Sequence, residues 1–294
     1  MTAASEQDSD LRLVVVAGPN GSGKSTITAI HQELHDLPAA YVNADEIAKE
    51  LGIPAYDAAQ VAEMKRSELI AAKQPFAFET VLSHPSKLAL LDKAKEAGYD
   101  ITLIFVGTQD PAINLQRVEQ RARAGGHDVP PDKTVSRWHR SMELLPAAVE
   151  RAGASLIYDN SGAAPNLVLQ LEKTKIVEQA EKVPPWVDVA LVQPLQQRAA
   201  ELKKLKSFAN VNDLTLQKAD ATGQAYEGRM QVQTEHFITQ NIGHRTLVVH
   251  DKAFVGKDLQ PGQALRVDYS QYKPSGNTPL IAHMGPAKGK DLGR

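Results

Sequence analysis

Residues 11–26 read LRLVVVAGPNGSGKST, and this stretch decides the fold. Residues 11–18 form a continuous apolar run, rich in Val and ending in Gly, which is typical of a strand buried on both faces of a parallel sheet. Residues 18–25 fit the pattern G-x-x-x-x-G-K-[ST] of a phosphate-binding loop. Because this loop directly follows a buried strand and opens a helix, the stretch predicts nucleotide binding in an α/β domain.

Each position in this loop has a chemical role. The glycines let backbone N–H groups curl around a phosphate, Lys24 supplies a point charge for the β- and γ-phosphates, and the Ser25 hydroxyl is a ligand for Mg²⁺. We therefore expect ATP and Mg²⁺ as cofactors. The residues predicted to hold the nucleotide are Gly18, Pro19, Asn20, Gly21, Ser22, Gly23, Lys24, Ser25 and Thr26.

Strand-like and helix-like stretches alternate after the loop. Short apolar runs recur at 39–45, 75–80, 100–107 and 155–160, and helix-like segments fill the intervals. Such alternation is typical of βαβ units, so it predicts a doubly wound parallel sheet.

The character of the sequence changes near residue 180. VPPW at 183–186 breaks any helix, a polar helix follows, and the pattern from 223 onward alternates like strands. These changes predict a disordered tail over 1–10, a P-loop domain over 11–178, a helical linker over 179–222, a small β-rich domain over 223–274 and a second disordered tail over 275–294.

Composition excludes several classes of protein. The 33 basic and 35 acidic side chains give a net charge of −2, which argues against coating nucleic acid or an anionic membrane. The absence of Cys excludes disulfides, thiolate metal sites and cysteine nucleophiles. The apolar runs are too short to span a bilayer, and the acidic N-terminus is unlike a secretory signal. We expect a soluble cytoplasmic protein that binds neither nucleic acid nor membrane.

A P-loop alone does not distinguish motors, GTPases, transport ATPases and kinases. The run that ends at Asp110 is a poor match to a Walker-B strand, and the LSGGQ-like and NKxD motifs are absent. Small-molecule kinases place an acidic residue after the second strand and arginines on a mobile lid. Both features are present, which favours a kinase.

Polar residues end the second and third predicted strands. Asp45 closes the second strand, where a carboxylate can accept the proton of an acceptor hydroxyl and orient it for attack. The alternative is that Asp45, or Asn43, caps the following helix. Glu79 and Thr80 end the third strand, where Glu79 either binds acceptor hydroxyls or caps a helix. We expect Asp45 to be the general base and Asp45, Glu79 and Thr80 to bind the substrate.

Arginines cluster on two predicted helices that flank a glycine-rich turn, GGHDVP at 125–130. Arg117 and Arg121 share one helix face, and Arg137 and Arg140 share another. Arginines on such a hairpin suit a lid that neutralises the transferring phosphoryl group. The alternative is a solvated pair of basic helices.

About residues 10–175 resemble the zeta toxin family of P-loop kinases, through GPNGSGKST, NADE, FAFETVLS, RARAGGHDVP and LIYDNS. This resemblance implies ATP-dependent phosphorylation of UDP-N-acetylglucosamine at the sugar 3′-hydroxyl, which poisons peptidoglycan synthesis, in a toxin–antitoxin system whose partner is an antitoxin protein.

The same resemblance implies roles for single residues. Asp45 corresponds to the base, Glu79 to a ligand of the acceptor sugar, and Lys24, Arg121 and Arg137 to the phosphate clamp. Rival positions within one helical turn stay open for the clamp: Arg117, Arg123 and Arg140. Another nucleotide-sugar or dinucleotide acceptor also stays open.

Residues 226–269 resemble the KfrB-type domain of plasmid-encoded proteins. This likeness suggests a mobile-element setting, and it supports an alternative function: a plasmid maintenance or regulatory protein in which ATP binding switches conformation. A DNA-end or RNA kinase is disfavoured by the net charge of −2 and the aromatic content of 5%.

Overall fold

Two β-sheets organise the protein, one in each of two units, Met1–Leu191 and Val192–Arg294. The structure is a computed structural model that describes residues 11–126, 129–255, 260–269 and 283–286. In these described residues, no helix is both long and apolar enough to cross a membrane.

The first unit is built on a seven-stranded sheet in the order β2-β3-β1-β4-β5-β6-β7. Strands β1 to β5 run parallel to one another, β6 is antiparallel to β5, and β7 is antiparallel to β6. The strands are β1 (Arg12–Ala17), β2 (Ala40–Val42), β3 (Phe76–Thr80), β4 (Asp100–Gly107), β5 (Ala154–Asp159), β6 (Asn166–Glu172) and β7 (Lys175–Gln179). This arrangement confirms the predicted α/β fold with a mostly parallel sheet.

The helices of this unit lie between strands β1 and β5, apart from the last, which follows β7. They are α1 (Lys24–Glu33), α2 (Ala44–Leu51), α3 (Ala55–Ala71), α4 (Ser86–Glu96), α5 (Pro111–Arg123), α6 (Pro131–Val149) and α7 (Pro185–Val187), and a π-helical turn, Asp188–Val192, follows α7.

Strand β1 lies at the centre of the sheet, between β3 and β4. Its residues Val14 and Val16 belong to one core cluster with Ile27 of α1, while Leu13 and Val15 are buried as well. Burial of alternate residues on both faces explains the continuous apolar run in the sequence. Because the chain order reverses at β1, the loop after it opens at the edge where α/β sheets bind ligands.

The second unit holds a six-stranded sheet in the order β13-β12-β9-β10-β11-β8. Its elements are α8 (Gln193–Val211), β8 (Thr215–Lys218), β9 (Ala225–Gln233), β10 (Phe237–Asn241), β11 (Thr246–Asp251), α9 (Lys252–Val255), β12 (Ala264–Asp268) and β13 (His283–Pro286).

The segment predicted to be a linker, 179–222, contains α8 and β8. Leu205 of α8 is buried against Phe237 and Val249 of the sheet, so this helix forms part of the core of the second unit. In ELKKLK at 201–206 the three lysines are exposed, whereas Leu205 is buried. Glu201 is buried as well, and it accepts hydrogen bonds from the Thr234 hydroxyl and the N–H of His236.

The two predicted tails fall largely outside the described residues. Residues 1–10 lie outside them, as does most of 275–294. Within the second segment the structure describes β13, which pairs antiparallel with β12.

Candidate active site

The phosphate-binding loop depends on glycines with left-handed backbone. Gly21 has φ 76° and Gly23 has φ 91°. A Cβ atom would lie 2.5 Å from the carbonyl oxygen of Asn114 at the first position and 2.2 Å from Nδ2 of Asn160 at the second. Only glycine satisfies both the backbone geometry and the close approach.

Two buried amides hold the outside of this loop. Nδ2 of Asn114, on α5, donates to the carbonyl oxygen of Asn20 at 2.7 Å, and Nδ2 of Asn160, directly after β5, donates to that of Ser22 at 2.8 Å. Sequence reasoning assigned no role to either asparagine. For Asn160, the only sequence signal of a role at the site was its position at the end of the fifth predicted strand. No local pattern marks Asn114, because its contact with the loop joins residues 94 positions apart.

The inside of the loop is free to bind an anion. Among the described residues, the backbone N–H groups of Gly21, Gly23 and Lys24 donate to no other residue. The hydroxyl of Ser22 is buried without a hydrogen-bond partner there. Helix α1 begins at Lys24 with no side-chain cap and no acidic residue in its first turn. Unpaired donors at a helix N-terminus fit a phosphate group.

Lys24 lies at the centre of the charged groups. Its Nζ donates to the carbonyl oxygens of Gly18 and Pro19, at 3.0 Å and 3.2 Å. Burial lowers the pKa of Lys24, the carboxylates of Glu79 and Asp45 raise it, and the guanidinium groups of Arg121 and Arg137 lower it. The structure thus brings the other four side chains within electrostatic reach of Lys24.

Asp45 lies in the first turn of α2. The strand predicted over 39–45 ends at Val42, because Asn43 caps the helix by accepting the N–H of Asp45 on its Oδ1 at 2.9 Å. The cap therefore belongs to Asn43, and the exposed carboxylate of Asp45 is not used for it.

Glu79 and Thr80 end β3 with different contacts. Oε1 of Glu79 accepts a hydrogen bond from the Thr28 hydroxyl at 2.7 Å. The N-cap of α4 is Pro85, so Glu79 does not cap that helix. The Thr80 hydroxyl accepts the N–H of Leu82 at 3.1 Å, which closes the turn after the strand. Thr80 is therefore held by local structure, while Glu79 lies among the charged groups.

Two of the predicted lid arginines, Arg137 and Arg121, are linked to the phosphate-binding loop. Arg137 of α6 donates to Oδ1 of Asn20 in the loop at 3.3 Å. Its pKa is lowered by burial and by Arg140, and is raised by Asp45. Arg121 of α5 is exposed and lies within electrostatic reach of Lys24. Arg137 therefore contacts the loop from α6, and Arg121 of α5 lies within electrostatic reach of the loop's lysine.

The three rival arginines have other contacts. Arg117 donates to the carbonyl oxygens of Asn160 and Gly162, at 2.8 Å and 3.2 Å. Arg123 is 81% exposed and pairs with Glu119 on its own helix at 3.8 Å. Arg140 donates to Ser136, one turn earlier in α6. Two residues of the turn between the helices, His127 and Asp128, lie outside the described residues.

Ser25 and Thr26 present exposed side chains in the first turn of α1. No group of three or more His, Cys, Asp or Glu side chains in the described residues could hold a metal ion. Mg²⁺ keeps several waters and takes few protein ligands when it binds with a phosphate. A single hydroxyl beside a phosphate-binding loop fits that kind of ion.

The model of the zeta toxin family matches residues 2–164, which is more than half of the chain. The chain belongs to the zeta toxin family. Membership of this family supports an ATP-dependent kinase. The model of the KfrB domain matches residues 225–275 of this zeta toxin family member, within the second unit.

Relatives of this family member share limited identity with it. An uncharacterized protein of Haemophilus influenzae is 29% identical over 126 residues, which cover 41% of this chain and 88% of the relative.

Solved structures are similar at lower identity. The AvrRxo1-ORF1:ORF2 complex with ATP has a TM-score of 0.46 and 15% identity, and the likeness covers 56% of this chain and 59% of that chain. The PezAT toxin–antitoxin system of Streptococcus pneumoniae has a TM-score of 0.40 and 15% identity, over 65% and 80% of the two chains. Shikimate kinase of Acinetobacter baumannii with shikimate has a TM-score of 0.35 and 15% identity, over 65% and 94%. The chain spans about three-fifths of the length of the AvrRxo1 structures.

Proposed function

We propose that this protein transfers the γ-phosphoryl group of ATP to a sugar hydroxyl of UDP-N-acetylglucosamine and acts as the cytoplasmic toxin of a toxin–antitoxin system. The observation that carries this proposal is the convergence of three cations and two carboxylates around the phosphate-binding loop: Lys24, Arg121, Arg137, Asp45 and Glu79. Cations stabilise a transferring phosphoryl group, and a carboxylate can take the proton of the acceptor.

The nucleotide side is formed by the loop and the start of α1. The backbone N–H groups of Gly21, Gly23 and Lys24, which donate to no other described residue, would bind the phosphates, and the exposed hydroxyl of Ser25 would hold Mg²⁺. When bound, Mg²⁺ neutralises negative charge on the phosphates. Lys24 exchanges its two carbonyl partners in the loop for phosphate oxygens.

The acceptor side is formed by the carboxylates. Glu79 accepts hydrogen bonds from sugar hydroxyls and fixes the acceptor. Asp45 accepts the proton of the reacting sugar hydroxyl. The oxygen of that hydroxyl bonds to the γ-phosphorus, and the bond from this phosphorus to the β-phosphate oxygen breaks, which releases ADP. Arg121 and Arg137 stabilise the charge on the equatorial oxygens.

The proposal includes a protein antitoxin as partner. Growth arrest by the full chain, relieved when the antitoxin is co-expressed, is the cellular result that this function requires.

The proposal is tested by ADP release from Mg²⁺-ATP by the full chain, with and without UDP-N-acetylglucosamine. We expect the acceptor to stimulate release, and Asp45→Asn to lower the stimulated rate by about 10²- to 10⁴-fold while ATP binding persists. Glu50→Gln is the matched control, because it removes an exposed carboxylate from the same helix. Tight ATP binding without stimulation would contradict this acceptor, and full activity of Asp45→Asn would contradict the base.

A second function is favoured by the KfrB match over residues 225–275. In it, ATP binding switches conformation and the second unit binds a partner in plasmid maintenance. This function predicts ATP binding with no acceptor-dependent ADP release for any sugar nucleotide.

A further inference from the structure

Glu79 and Lys24 carry opposite charges beside the phosphate-binding loop, yet no ion pair joins them within the described residues. The end of β3 is hydrogen-bonded to the first residue of the loop, since the N–H of Gly18 donates to the carbonyl oxygen of Thr80 at 3.2 Å. Burial lowers the pKa of Lys24, and among the neighbouring charges the Glu79 carboxylate acts most strongly on that pKa, by raising it. The two groups are therefore close enough to attract each other but are held apart.

Each of these charged side chains has neutral partners instead. Nζ of Lys24 donates to the carbonyl oxygens of Gly18 and Pro19 inside the loop, at 3.0 Å and 3.2 Å. Oε1 of Glu79 accepts a hydrogen bond from the Thr28 hydroxyl at 2.7 Å. Opposite charges attract each other strongly where water is partly excluded, so these neutral contacts decide where each charge lies.

Helix α1 places Thr28 for this contact. Thr28 follows Lys24 by four residues, about one helical turn, so the two side chains share a face of α1. Its neighbour Ile27 belongs to one core cluster with residues of β1 and β3, which fixes the helix against the sheet. Thr28 itself is 5% exposed. Its hydroxyl thus reaches Glu79 from a firmly packed element.

We propose that Thr28 is a positioning residue that keeps the Glu79 carboxylate off Lys24, so that the lysine stays available for phosphate and the carboxylate for the acceptor. Without the hydroxyl, Glu79 turns to Lys24 and an ion pair replaces the neutral contacts. That ion pair competes with the phosphates of ATP for the lysine, and it withdraws the carboxylate from the acceptor. The inference rests on the proposed function only for the role of Glu79 toward the acceptor, since its other half concerns ATP binding alone.

The test is the affinity of the full chain for Mg²⁺-ATP, measured by calorimetric titration without acceptor. Thr28→Val keeps nearly the same side-chain shape and removes the hydroxyl. We expect it to raise the Kd for ATP by about tenfold, since a hydrogen bond to a charged group is lost. Thr28→Ser is the matched control, because it keeps the hydroxyl and should bind ATP like the wild type.

Glu79→Gln distinguishes this positioning role from a structural one. A neutral amide forms no ion pair with Lys24, so in the Glu79→Gln background Thr28→Val should not raise the Kd for ATP any further. A loss of helix packing or of folding would raise the Kd by the same factor in both backgrounds.

The acceptor side gives a second readout. In steady-state kinetics with UDP-N-acetylglucosamine, Thr28→Val should raise the KM for the acceptor by about tenfold, and Thr28→Ser should leave it unchanged.

Two results would overturn the inference: an unchanged Kd for ATP in Thr28→Val, or an equal rise of that Kd with and without the Glu79→Gln substitution. A wild-type protein that binds ATP but phosphorylates no UDP-N-acetylglucosamine is a different result. It overturns the proposed acceptor, while the Kd values for ATP still decide whether Thr28 keeps Glu79 off Lys24.

Discussion

Arg137 and Arg123 show how position separates arginines of the same sequence cluster. Arg137 is partly buried and contacts Asn20 of the phosphate-binding loop, while Arg123 is 81% exposed and pairs on its own helix. A cation beside the transferring phosphoryl group stabilises it far more than an exposed cation does, because solvent screens the exposed charge.

We expect Arg137→Ala to lower the acceptor-dependent rate by about 10³-fold or more, and Arg123→Ala to leave it unchanged. Single-turnover phosphoryl transfer measures the chemical step in both variants. Equal losses in the two would show that the arginines act through net charge alone.

His250 is a residue-scale test of the second unit. It is fully buried on β11, with Nδ1 2.8 Å from the Tyr269 hydroxyl and Nε2 3.1 Å from Oε1 of Gln240. Burial lowers the pKa of His250 from 6.5 to about 3. As the pH falls below 6.5, the unfolded chain gains a proton that the folded chain does not, so stability is lost.

Between pH 6.5 and about 3, this one group should reduce the free energy of unfolding by about 1.4 kcal/mol per pH unit. In His250→Asn this contribution is absent, so the stability gap between wild type and variant should narrow as the pH falls. Hydrogen exchange of backbone amides in the second unit measures the free energy of unfolding of wild type and variant. His244→Asn, at an exposed position, is the control. A difference in the free energy of unfolding between wild type and His250→Asn that stays constant with pH would contradict the lowered pKa of His250.

At the scale of elements, the loop after β1 is held from outside by α5. Asn114 is fully buried and donates to the carbonyl oxygen of Asn20, and it also accepts the Thr108 hydroxyl. Trp138 of α6 donates to the same threonine at 3.1 Å. The loop is therefore tied to both helices that carry the lid arginines.

We expect Asn114→Ala to lower ATP affinity by about tenfold and the free energy of unfolding by about 1–3 kcal/mol, since a buried carbonyl loses its partner. Calorimetric titration with Mg²⁺-ATP and urea unfolding measure the two quantities. Asn166→Ala, at an exposed position of β6, is the control and should change neither.

The elements that sequence patterns predicted are those with strong local signals. Strands β1, β3, β4 and β5 lie inside the sheet and were predicted because central parallel strands are apolar throughout. The edge strand β2 was predicted from the short apolar run within 39–45. The β6–β7 hairpin was not, because β7 lies at the sheet edge and its residues are mostly exposed. The contacts of Asn114 and Asn160 with the loop depend on residues 94 and 138 positions apart, which no local pattern carries.

The residues of the candidate site were likewise predictable only where a local sequence pattern marks them. The loop motif and the acidic ends of strands marked Lys24, Asp45 and Glu79 through local patterns. Helical spacing could not separate Arg137 from Arg140, because both share a face of α6, and only the packing of that helix brings one of them to Asn20.

At the scale of the whole molecule, a P-loop kinase unit is followed by a unit that contains the KfrB match. The net charge of −2 is the sum of an acidic first unit, with 19 basic and 26 acidic side chains, and a basic second unit, with 14 and 9. The acidic balance of the first unit agrees with a small-molecule acceptor for the kinase. If the kinase reaction is the toxic activity, growth arrest should depend on Asp45.

We expect expression of the full chain in bacteria to arrest growth and expression of Asp45→Asn at equal level not to do so. Glu50→Gln should arrest growth like the wild type. Arrest by Asp45→Asn would separate toxicity from phosphoryl transfer and favour the conformational switch.

The central claim is tested most directly by the mass of UDP-N-acetylglucosamine after incubation with Mg²⁺-ATP and the full chain. The account predicts a product heavier by one phosphoryl group, with the phosphate on the sugar, formed by the wild type and not by Asp45→Asn. An unmodified acceptor, recovered in full beside a protein that binds ATP, would contradict it.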